Sequence, residues 1–479
     1  MTSIPDLIAE FRRRFQMEPS HLIRVPGRVN LIGEHIDYNG LPVLPMAMER
    51  EIRAVIARRP GAEVAVTNTV RRFADRQFTL SRRIPPYQTG DWGNYLKAGV
   101  QGIVDWAVEK GLEPDGLSGF SMLIDSDLPM AAGLSSSSAL VVTSALATLS
   151  AAGLSAGRRE LADRLSVAET YVGTLGGGMD HASILLSEAG AALKIDFFPL
   201  RTTVVPLPAG FDFVVTNSMI TAPKTAAARI GFNRLSMESR LAVMVLKKKY
   251  EERTGAALDN VKRMADLYRY LSPSEVLDMA AGIFPGKVWV KENTAAALGL
   301  SEAELDRLYL TMRDGCLLPV PEAGFLFWPK VQHAISEGER VKDSVTALQS
   351  GNAEAFGRLM NESHASCRDY LGISCPALEK MVTLARSAGA IGSRLTGAGF
   401  GGCCVSLVPS ALSGRFQEIM AVEYYDKYLK SHHPELYEEA RATGYQNLII
   451  VTAPGHGATV RTLAAGGAAT PAPATAILQ

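Results

Sequence analysis

Hydrophobic residues recur along the chain with two periods, one typical of helices and one typical of strands. Leu7, Ile8, Phe11 and Phe15 lie on one face of a predicted amphipathic helix near the N-terminus. Helical spacing also predicts helices at residues 91–108, 139–149, 237–250, 258–270, 353–364 and 377–387. Short alternating or apolar runs predict strands at residues 21–30, 51–58, 62–67, 120–124, 192–197, 211–216, 402–408 and 447–451.

This mixture of strands and long helices predicts an α/β or α+β fold, not a helical bundle. With 479 residues, the chain is long enough for two domains with substantial cores. We place the boundary next to Pro206, which gives an N-terminal domain at residues 1–206 and a C-terminal domain at residues 207–463. From Ala464 the chain consists mainly of Ala, Gly, Thr and Pro, so residues 464–479 are predicted to form a disordered tail.

Charge and cysteine content argue against several other classes of protein. Lys and Arg together number 49, as do Asp and Glu, so the net charge does not favour a nucleic-acid groove or an anionic membrane surface. The five cysteines form an odd number without a zinc-type pair, and Cys403 and Cys404 stand in an apolar run that we expect in the core. The N-terminus lacks the apolar region of a signal peptide, and no run is long enough to span a bilayer. We therefore expect a soluble, cytoplasmic protein with no nucleic-acid or membrane partner.

A serine-rich stretch at residues 128–139, L-P-M-A-A-G-L-S-S-S-S-A, stands directly before a helical apolar run. Small residues let backbone amides approach a phosphate, and the start of a helix offers unpaired N–H groups and the positive end of its dipole. A serine hydroxyl can also bind a phosphate-bound metal ion. The alternative is a helix cap with no ligand, because serines commonly cap helices. No Walker-type G-x-x-x-x-G-K-[ST] motif occurs in the sequence.

Three further stretches combine glycines with polar residues. Residues 395–402, L-T-G-A-G-F-G-G, precede a predicted strand, where glycines permit positive φ angles and close backbone approach. Residues 25–40, V-P-G-R-V-N-L-I-G-E-H-I-D-Y-N-G, crowd side chains that can hydrogen-bond several hydroxyls at once, as a sugar requires. In G-G-G-M-D-H at residues 176–181, Asp180 follows three glycines and could lie at the floor of a site, although an aspartate in this context is more often a turn residue or a helix cap.

The first three of these stretches resemble the signature motifs of the GHMP kinases, and residues 27–39 resemble the galactokinase signature G-R-V-N-L-I-G-E-H-x-D-Y-N nearly residue for residue. The resemblance covers about the first 460 residues of the chain. It implies a two-domain GHMP kinase fold with the active site in the cleft between the domains. It also implies transfer of phosphate from ATP, with Mg²⁺, to the anomeric hydroxyl of galactose or N-acetylgalactosamine. Protein partners are left unknown by the sequence.

The resemblance carries residue roles to matching positions. It implies that Asp180 is the catalytic aspartate and that Arg28 faces it. The implied sugar-binding residues are Glu34, His35, Asp37, Gly178, His181 and Phe232. The implied nucleotide-binding residues are Trp92, Asn94 and Tyr95 on the adenine side, and Gly133, Leu134, Ser135, Ser136, Ser137 and Ser138 in the phosphate loop. Ser137 and Glu169 match magnesium ligands, and Gly397, Gly399 and Gly401 belong to the third motif, which braces the two pockets.

Two positions depart from the galactokinase pattern and bear on the identity of the sugar. Galactokinases usually carry Gln directly after the catalytic aspartate, where this chain has His181, and we interpret this histidine as structural in preference to an extra sugar contact. Phe232 stands where the family often has a tyrosine beneath the sugar, as in the N-acetylgalactosamine kinase branch. Residues 176–201, 361–370 and 374–376 also resemble that branch. A plain galactokinase without N-acetylgalactosamine activity is the alternative.

Two other classes fit the sequence less well. A non-catalytic sensor of galactose and ATP would be expected to carry a damaged phosphate loop, whereas residues 133–139 are uninterrupted and Arg28 and Asp180 are both present. A GHMP kinase for mevalonate or homoserine would not need the polar loop from Glu34 to Tyr38.

Overall fold

The computed structural model describes residues 2–70, 72–130, 132–174, 176–220, 226–312, 315–464 and 477–478. Its strands are β1 (His21–Ile32), β2 (Leu44–Arg58), β3 (Glu63–Asn68), β4 (Arg76–Thr79), β5 (Phe120–Ser126), β6 (Ala191–Asp196), β7 (Arg201–Pro206), β8 (Phe211–Asn217), β9 (Gly392–Thr396), β10 (Cys403–Pro409), β11 (Ile449–Thr452) and β12 (Thr459–Thr462). The helices of the first half are α1 (Ile4–Phe15), α2 (Gly93–Glu109), α3 (Ser136–Ala152), α4 (Arg158–Ala168) and α5 (Met179–Leu186).

The second half is richer in helices. They are α6 (Ala226–Thr254), α7 (Met264–Leu267), α8 (Pro273–Ile283), α9 (Lys291–Leu298), α10 (Glu302–Leu305), α11 (Phe327–Gln349), α12 (Ala353–Ser366), α13 (Pro376–Ser387), α14 (Ser413–Ile419), α15 (Lys430–His432) and α16 (Pro434–Thr443). The mixture of sheets and helices confirms the predicted fold class.

The described strands form two large sheets and a two-stranded antiparallel sheet of β6 and β7. The larger has six strands in the order β12-β1-β2-β5-β3-β4, with β3 and β5 parallel and the other pairs antiparallel. The smaller has four antiparallel strands in the order β11-β8-β10-β9. Strand β12 pairs with β1, with His21 opposite Thr462, so the chain returns to the first sheet after completing the second. The domain boundary at residue 206 stays a prediction. Strand β12 follows this boundary in the sequence, but it belongs to the same sheet as strands that precede the boundary.

Helix α3 is buried almost all round because its residues are small or apolar along the whole length, S-S-S-A-L-V-V-T-S-A-L-A-T-L-S-A-A. Its polar side chains turn inward onto the helix itself: Thr143 donates to the Ala139 carbonyl at 2.7 Å and Thr148 to the Ser144 carbonyl at 2.8 Å. A helix fixed in the core in this way gives its N-terminus a fixed position.

Most of the predicted elements are confirmed, but the helix predicted at residues 258–270 is wrong. Only Met264–Leu267 is α-helical in this range. The carboxylate of Asp266 accepts hydrogen bonds from the backbone N–H groups of Lys262 and Arg263, both at 3.0 Å. These bonds cap a short helix and hold the preceding residues in a turn. The prediction also missed the long helix α11 and began β2 too late.

Three smaller predictions can be compared with the structure. Cys403 and Cys404 are buried in β10, as expected. Among the described residues, no helix is both long enough and apolar enough to cross a membrane. The predicted tail lies mostly outside the described residues; near its end, the Ile477 carbonyl accepts a hydrogen bond from the Ala156 N–H at 3.0 Å.

Candidate active site

Arg28 and Asp180 form the ion pair at the centre of the candidate site. Arg28 lies in β1 and is buried, while Asp180 lies in the first turn of α5 with 26% of its side chain exposed. Arg28 Nε donates to Asp180 Oδ1 at 2.8 Å, and Arg28 Nη1 donates to the Gly133 carbonyl at 2.5 Å. Burial raises the pKa of Asp180, but Arg28 and the Ser135 hydroxyl outweigh it, so the pKa lies below its ordinary value. Asp180 is therefore held as a carboxylate.

Serines at the start of α3 connect Asp180 to a second carboxylate. Ser135 Oγ donates to Asp180 Oδ2 at 2.5 Å, and Ser138 Oγ donates to Glu169 Oε2 at 2.8 Å. Ser138 Oγ also lies 3.3 Å from Asp180 Oδ2. Burial, followed by the charge of Asp180, raises the pKa of Glu169 to about 7, although hydrogen bonds from Ser138 and Ser137 oppose this rise.

These groups fit the magnesium ion that the sequence resemblance implies. Hydroxyl and carboxylate oxygens are the ligands that Mg²⁺ prefers, usually alongside substrate phosphates and water. Glu169 and Asp180 are neighbouring carboxylates, and one arginine, Arg28, pairs with Asp180. A divalent cation beside Glu169 would compensate the charge that now raises the pKa of this group.

The N-terminus of α3 is left open for an anion. Ser135 occupies the N-cap position at φ 56°, and its side chain makes no capping hydrogen bond because it donates to Asp180 instead. Ser136 and Ser137 are half-buried, and Leu134 is buried beneath them. Uncapped N–H groups and the positive end of a buried helix form a phosphate-binding arrangement.

The backbone of the third motif is in direct contact with the backbone of the phosphate loop. Gly133 has φ 75°, and a Cβ atom there would lie 2.6 Å from the Thr396 carbonyl oxygen. Gly397 has φ 86°, and a Cβ atom there would lie 2.6 Å from the Gly133 Cα. Gly399 is similarly constrained, with a Cβ position 2.5 Å from the Ile373 carbonyl oxygen, and Gly401 has φ 140°. Glycines are required at this contact because both conformation and space exclude a side chain.

The polar loop after β1 places two carboxylates close to this pair. Asp37 Oδ1 accepts from the Tyr38 N–H at 2.9 Å, and its Oδ2 accepts from the Met179 N–H at 3.3 Å, at the start of α5. Burial and the nearby Asp180 charge raise the pKa of Asp37 to about 6. Burial also raises the pKa of Glu34, although Arg394, whose Nη2 lies 3.2 Å from Glu34 Oε2, opposes this. A carboxylate has about four lone-pair sites, so both groups can still accept hydrogen bonds from a hydroxyl-rich ligand.

His35 and Phe232 form an adjoining aromatic wall. His35 has φ 57°, and its Nε2 lies 3.2 Å from the Ala398 carbonyl oxygen in the third motif. Burial lowers the pKa of His35 to about 3, so its ring is neutral. Its centroid lies 5.3 Å from that of Phe232 in α6. Gly178 forms the N-cap of α5, where a Cβ atom would meet the Phe197 ring at 3.1 Å.

The predicted adenine-side residues are engaged mainly with their own loop. Trp92 Nε1 donates to the Ala74 carbonyl at 3.1 Å, and the Asn94 amide exchanges hydrogen bonds with the Tyr87 backbone at 2.8 and 3.3 Å. Tyr95 is closer to the site: burial raises the pKa of its hydroxyl, and the Glu169 charge adds to this effect. The adenine role of the three residues remains a prediction.

Sequence analysis did not predict the buried groups that pack behind the polar loop from Glu34 to Tyr38, which we call the sugar loop. Arg394 in β9 is fully buried, with Nη2 3.2 Å from Glu34 Oε2 and Nη1 donating to the Asn30 carbonyl at 3.1 Å. From α11, Glu337 Oε1 accepts from the Gly33 N–H at 2.9 Å. A charged residue within the apolar strand directly before the third motif could have indicated Arg394, because a buried charge needs a partner. Glu337 gave no such signal, since its helix was not predicted.

His181 points away from Asp180 and towards Glu169. It is 1% exposed, and its Nε2 lies 3.3 Å from Glu169 Oε2. Burial lowers the pKa of His181 to about 4, so the ring is neutral. These contacts do not decide whether His181 has a structural role, as we interpret it from the sequence, or contacts the sugar.

Comparisons with known proteins agree with this geometry. Three family models match: the galactokinase galactose-binding signature at residues 9–58, the GHMP kinase N-terminal domain at residues 94–188 and the GHMP kinase C-terminal region at residues 344–427. The galactokinase of Dictyostelium discoideum is 31% identical over 456 residues, covering 89% of this chain and 88% of that protein. The galactokinase of Roseiflexus sp. strain RS-1 is 33% identical over 428 residues, covering 89% and 93% respectively.

A solved structure supports the same relationship. The crystal structure of Lactococcus lactis galactokinase complexed with galactose is 25% identical, with a TM-score of 0.71, covering 96% of this chain and 100% of that one. The fold and the site thus define an enzyme of the GHMP kinase class, which uses ATP as its co-substrate. Within this class, the chain belongs to the galactokinase family, and it is a sugar kinase.

The contact between Gly133 and Gly397 generates a testable prediction. Gly397→Ala should lower kcat at least about tenfold, because the new methyl group must displace the phosphate loop, and misplacement of about 1 Å can cost 10²-fold. Gly61→Ala is the matched control: Gly61 also has positive φ, 77°, but nothing lies within 4 Å of its Cβ position. Both variants should lose about 1–2 kcal/mol of stability from backbone conformation. Steady-state kinetics and urea unfolding of the two variants make the comparison, and equal kcat values would contradict the proposed bracing role.

Proposed function

We propose that this kinase transfers the γ-phosphoryl group of ATP to the anomeric hydroxyl of galactose, and that it also accepts N-acetylgalactosamine. The observation that carries the proposal is the ion pair of Arg28 and Asp180, which lies between the open N-terminus of α3 and the carboxylates of the sugar loop. Galactose is the ligand of the related Lactococcus lactis structure. The galactokinase signature at residues 9–58 supports the same sugar for this chain.

Asp180 acts on the hydroxyl that attacks. A sugar hydroxyl is a weak nucleophile, and a positioned carboxylate orients it and accepts its proton. The sugar oxygen forms a bond to the γ-phosphorus while the bond from that phosphorus to the bridging oxygen of ADP breaks. The low pKa of Asp180 means that the group is a carboxylate before the reaction. Arg28 keeps it so and neutralises charge near the transferring group.

Ser137 and Glu169 would hold the magnesium ion of the nucleotide. Bound there, the ion would supply charge stabilisation for the phosphates. The serine hydroxyls and backbone N–H groups of the phosphate loop orient the nucleotide. Since Ser138 donates to Glu169 Oε2, we include Ser138 in holding this carboxylate in place.

Glu34 and Asp37 would distinguish galactose from glucose at the fourth hydroxyl. Both carboxylates are buried, and Asp37 is fixed by two backbone N–H groups, so neither can follow a hydroxyl that points elsewhere. An equatorial hydroxyl would leave a buried polar group unpaired, at a cost of about 1–3 kcal/mol.

Tolerance at C2 is a separate matter, because an N-acetyl group needs space and an apolar wall. Phe232 offers such a wall beside His35, without the hydroxyl that a tyrosine would add. The resemblance to the N-acetylgalactosamine kinase branch supports the same choice. A plain galactokinase, in which Phe232 only fills space, is the alternative that the assay below separates.

Asp180→Asn should lower kcat about 10³-fold, because loss of a positioned proton acceptor costs roughly 10²–10⁴-fold. The amide is nearly isosteric, so binding of ATP and galactose should change only a few-fold. Asp105→Asn, at an exposed position on α2, is the control and should match the parent. A coupled ADP-release assay gives kcat, and calorimetry gives the two binding constants. Near-normal turnover would remove Asp180 from the mechanism.

The sugar specificity is tested by comparing kcat/KM for galactose, N-acetylgalactosamine, glucose and arabinose. We expect activity with the first two and a value at least about tenfold lower with glucose, from one unpaired buried group. Phe232→Tyr should lower the value for N-acetylgalactosamine relative to galactose several-fold. No activity of the parent with N-acetylgalactosamine would disprove the second substrate and leave galactose phosphorylation standing; no activity with galactose would disprove the proposed function.

A further inference from the structure

Helix α5 directs two consecutive side chains, Asp180 and His181, towards different groups of the site. Consecutive helical residues are about 100° apart around the axis, so Asp180 and His181 face different directions. Asp180 faces Arg28 and Ser135, whereas His181 faces Glu169, at the end of α4. One short helix thereby fixes both the reacting carboxylate and an imidazole beside the second carboxylate.

The imidazole of His181 is buried and has no settled partner. It is 1% exposed, and neither ring nitrogen makes a hydrogen bond within the part of the chain that the structure describes. Buried polar groups in proteins are nearly always hydrogen-bonded, so a buried imidazole with two unpaired nitrogens calls for a partner. A leucine would fill the same space without this requirement.

Glu169 is the acceptor within reach. His181 Nε2 lies 3.3 Å from Glu169 Oε2, the same oxygen that accepts from Ser138 Oγ at 2.8 Å. The distance suits a hydrogen bond, although the present alignment is poor. Hydrogen bonds in active sites are often long or misaligned without substrate and tighten in the complex. A small rotation of the Glu169 carboxylate towards a cation would complete this one.

We propose that His181 is a positioning residue, whose Nε2–H donates to Glu169 and holds that carboxylate in the orientation that binds the magnesium ion of the nucleotide. The proposal rests on the proposed function, in which Glu169 is a magnesium ligand. Carboxylates that bind metals are themselves held by hydrogen bonds, and loss of such a partner typically lowers metal affinity 10–100-fold.

Two substitutions separate a hydrogen-bonding role from a space-filling one. The amide nitrogen of Gln can reach the place of Nε2, whereas the shorter Asn reaches only the place of Nδ1. His181→Asn should weaken Mn²⁺ binding in the presence of ADP about 10–100-fold, and His181→Gln should stay within about threefold of the parent. Calorimetry or the electron paramagnetic resonance signal of free Mn²⁺ measures this affinity without turnover. The Mg²⁺ concentration that gives half-maximal kcat should follow the same order, and the KM for galactose should not change.

His364→Asn is a matched control, because the side-chain oxygen of Asn can keep the hydrogen bond that His364 Nδ1 accepts from the Leu395 N–H at 3.2 Å. His364 is also 1% exposed by its side chain, and its Nε2 lies 3.0 Å from a carboxylate, that of Glu379. This variant should lose thermal stability but keep the parent's affinity for Mn²⁺ with ADP. A loss of Mn²⁺ affinity equal to that of His181→Asn would overturn the proposal, because destabilisation alone would then explain both.

The remaining outcomes are also decisive. Unchanged Mn²⁺ affinity in His181→Asn, or equal losses in the Asn and Gln variants, would overturn the proposal. For a test that needs no His181 variant, the Nε2–H proton resonance of His181 should move downfield when Mg²⁺ and ADP are added, and Glu169→Gln should abolish that shift. A resonance that does not move would overturn the proposal as well. Failure of the proposed function is distinct, since it appears as a parent enzyme that binds Mn²⁺ and ADP but does not phosphorylate galactose.

Discussion

The site depends on one buried guanidinium group, that of Arg28. This group donates to the carboxylate of Asp180 and to the carbonyl of Gly133, and so joins β1 of the larger sheet to helix α5 and the phosphate loop. A buried arginine must be paired, and removal of one partner would leave a costly uncompensated charge. Because the pair fixes Asp180 in both position and charge, the other groups of the site are arranged around it.

The second constraint is the backbone contact between the phosphate loop and the third motif. Gly133 and Gly397 approach so closely that neither can carry a side chain, and Arg394 continues the contact by pairing with Glu34. The phosphate loop and the polar loop after β1 are therefore held by the same few residues of β9 and the loop that follows. A disturbance at either glycine is expected to affect both pockets, because the two backbones are in direct contact there.

Much of this arrangement could be predicted from local sequence, and the rest could not for a physical reason. Arg28, Asp180 and the serines of the phosphate loop stand in short motifs that resemble those of a known family. The resemblance therefore predicted that these residues would lie close together. Glu337 and Arg394 act through contacts across more than three hundred residues of chain, and no local pattern encodes such a partner. The false helix at residues 258–270 has a similar origin, because Asp266 capped a single turn where periodicity favoured a longer one.

The most direct test of this account is the pH dependence of kcat in the parent and in Arg28→Gln. Burial alone raises the pKa of Asp180, and Arg28 is the main group that lowers it. In the parent, Asp180 should contribute no acid limb near neutral pH, since it stays ionised in the complex, and kcat should fall only as the pH approaches the pKa of Asp37, about 6. In Arg28→Gln the acid limb should move towards neutral pH, together with a lower maximal kcat. An acid limb at the same pH in both enzymes would contradict the claim that Arg28 holds Asp180 as a carboxylate.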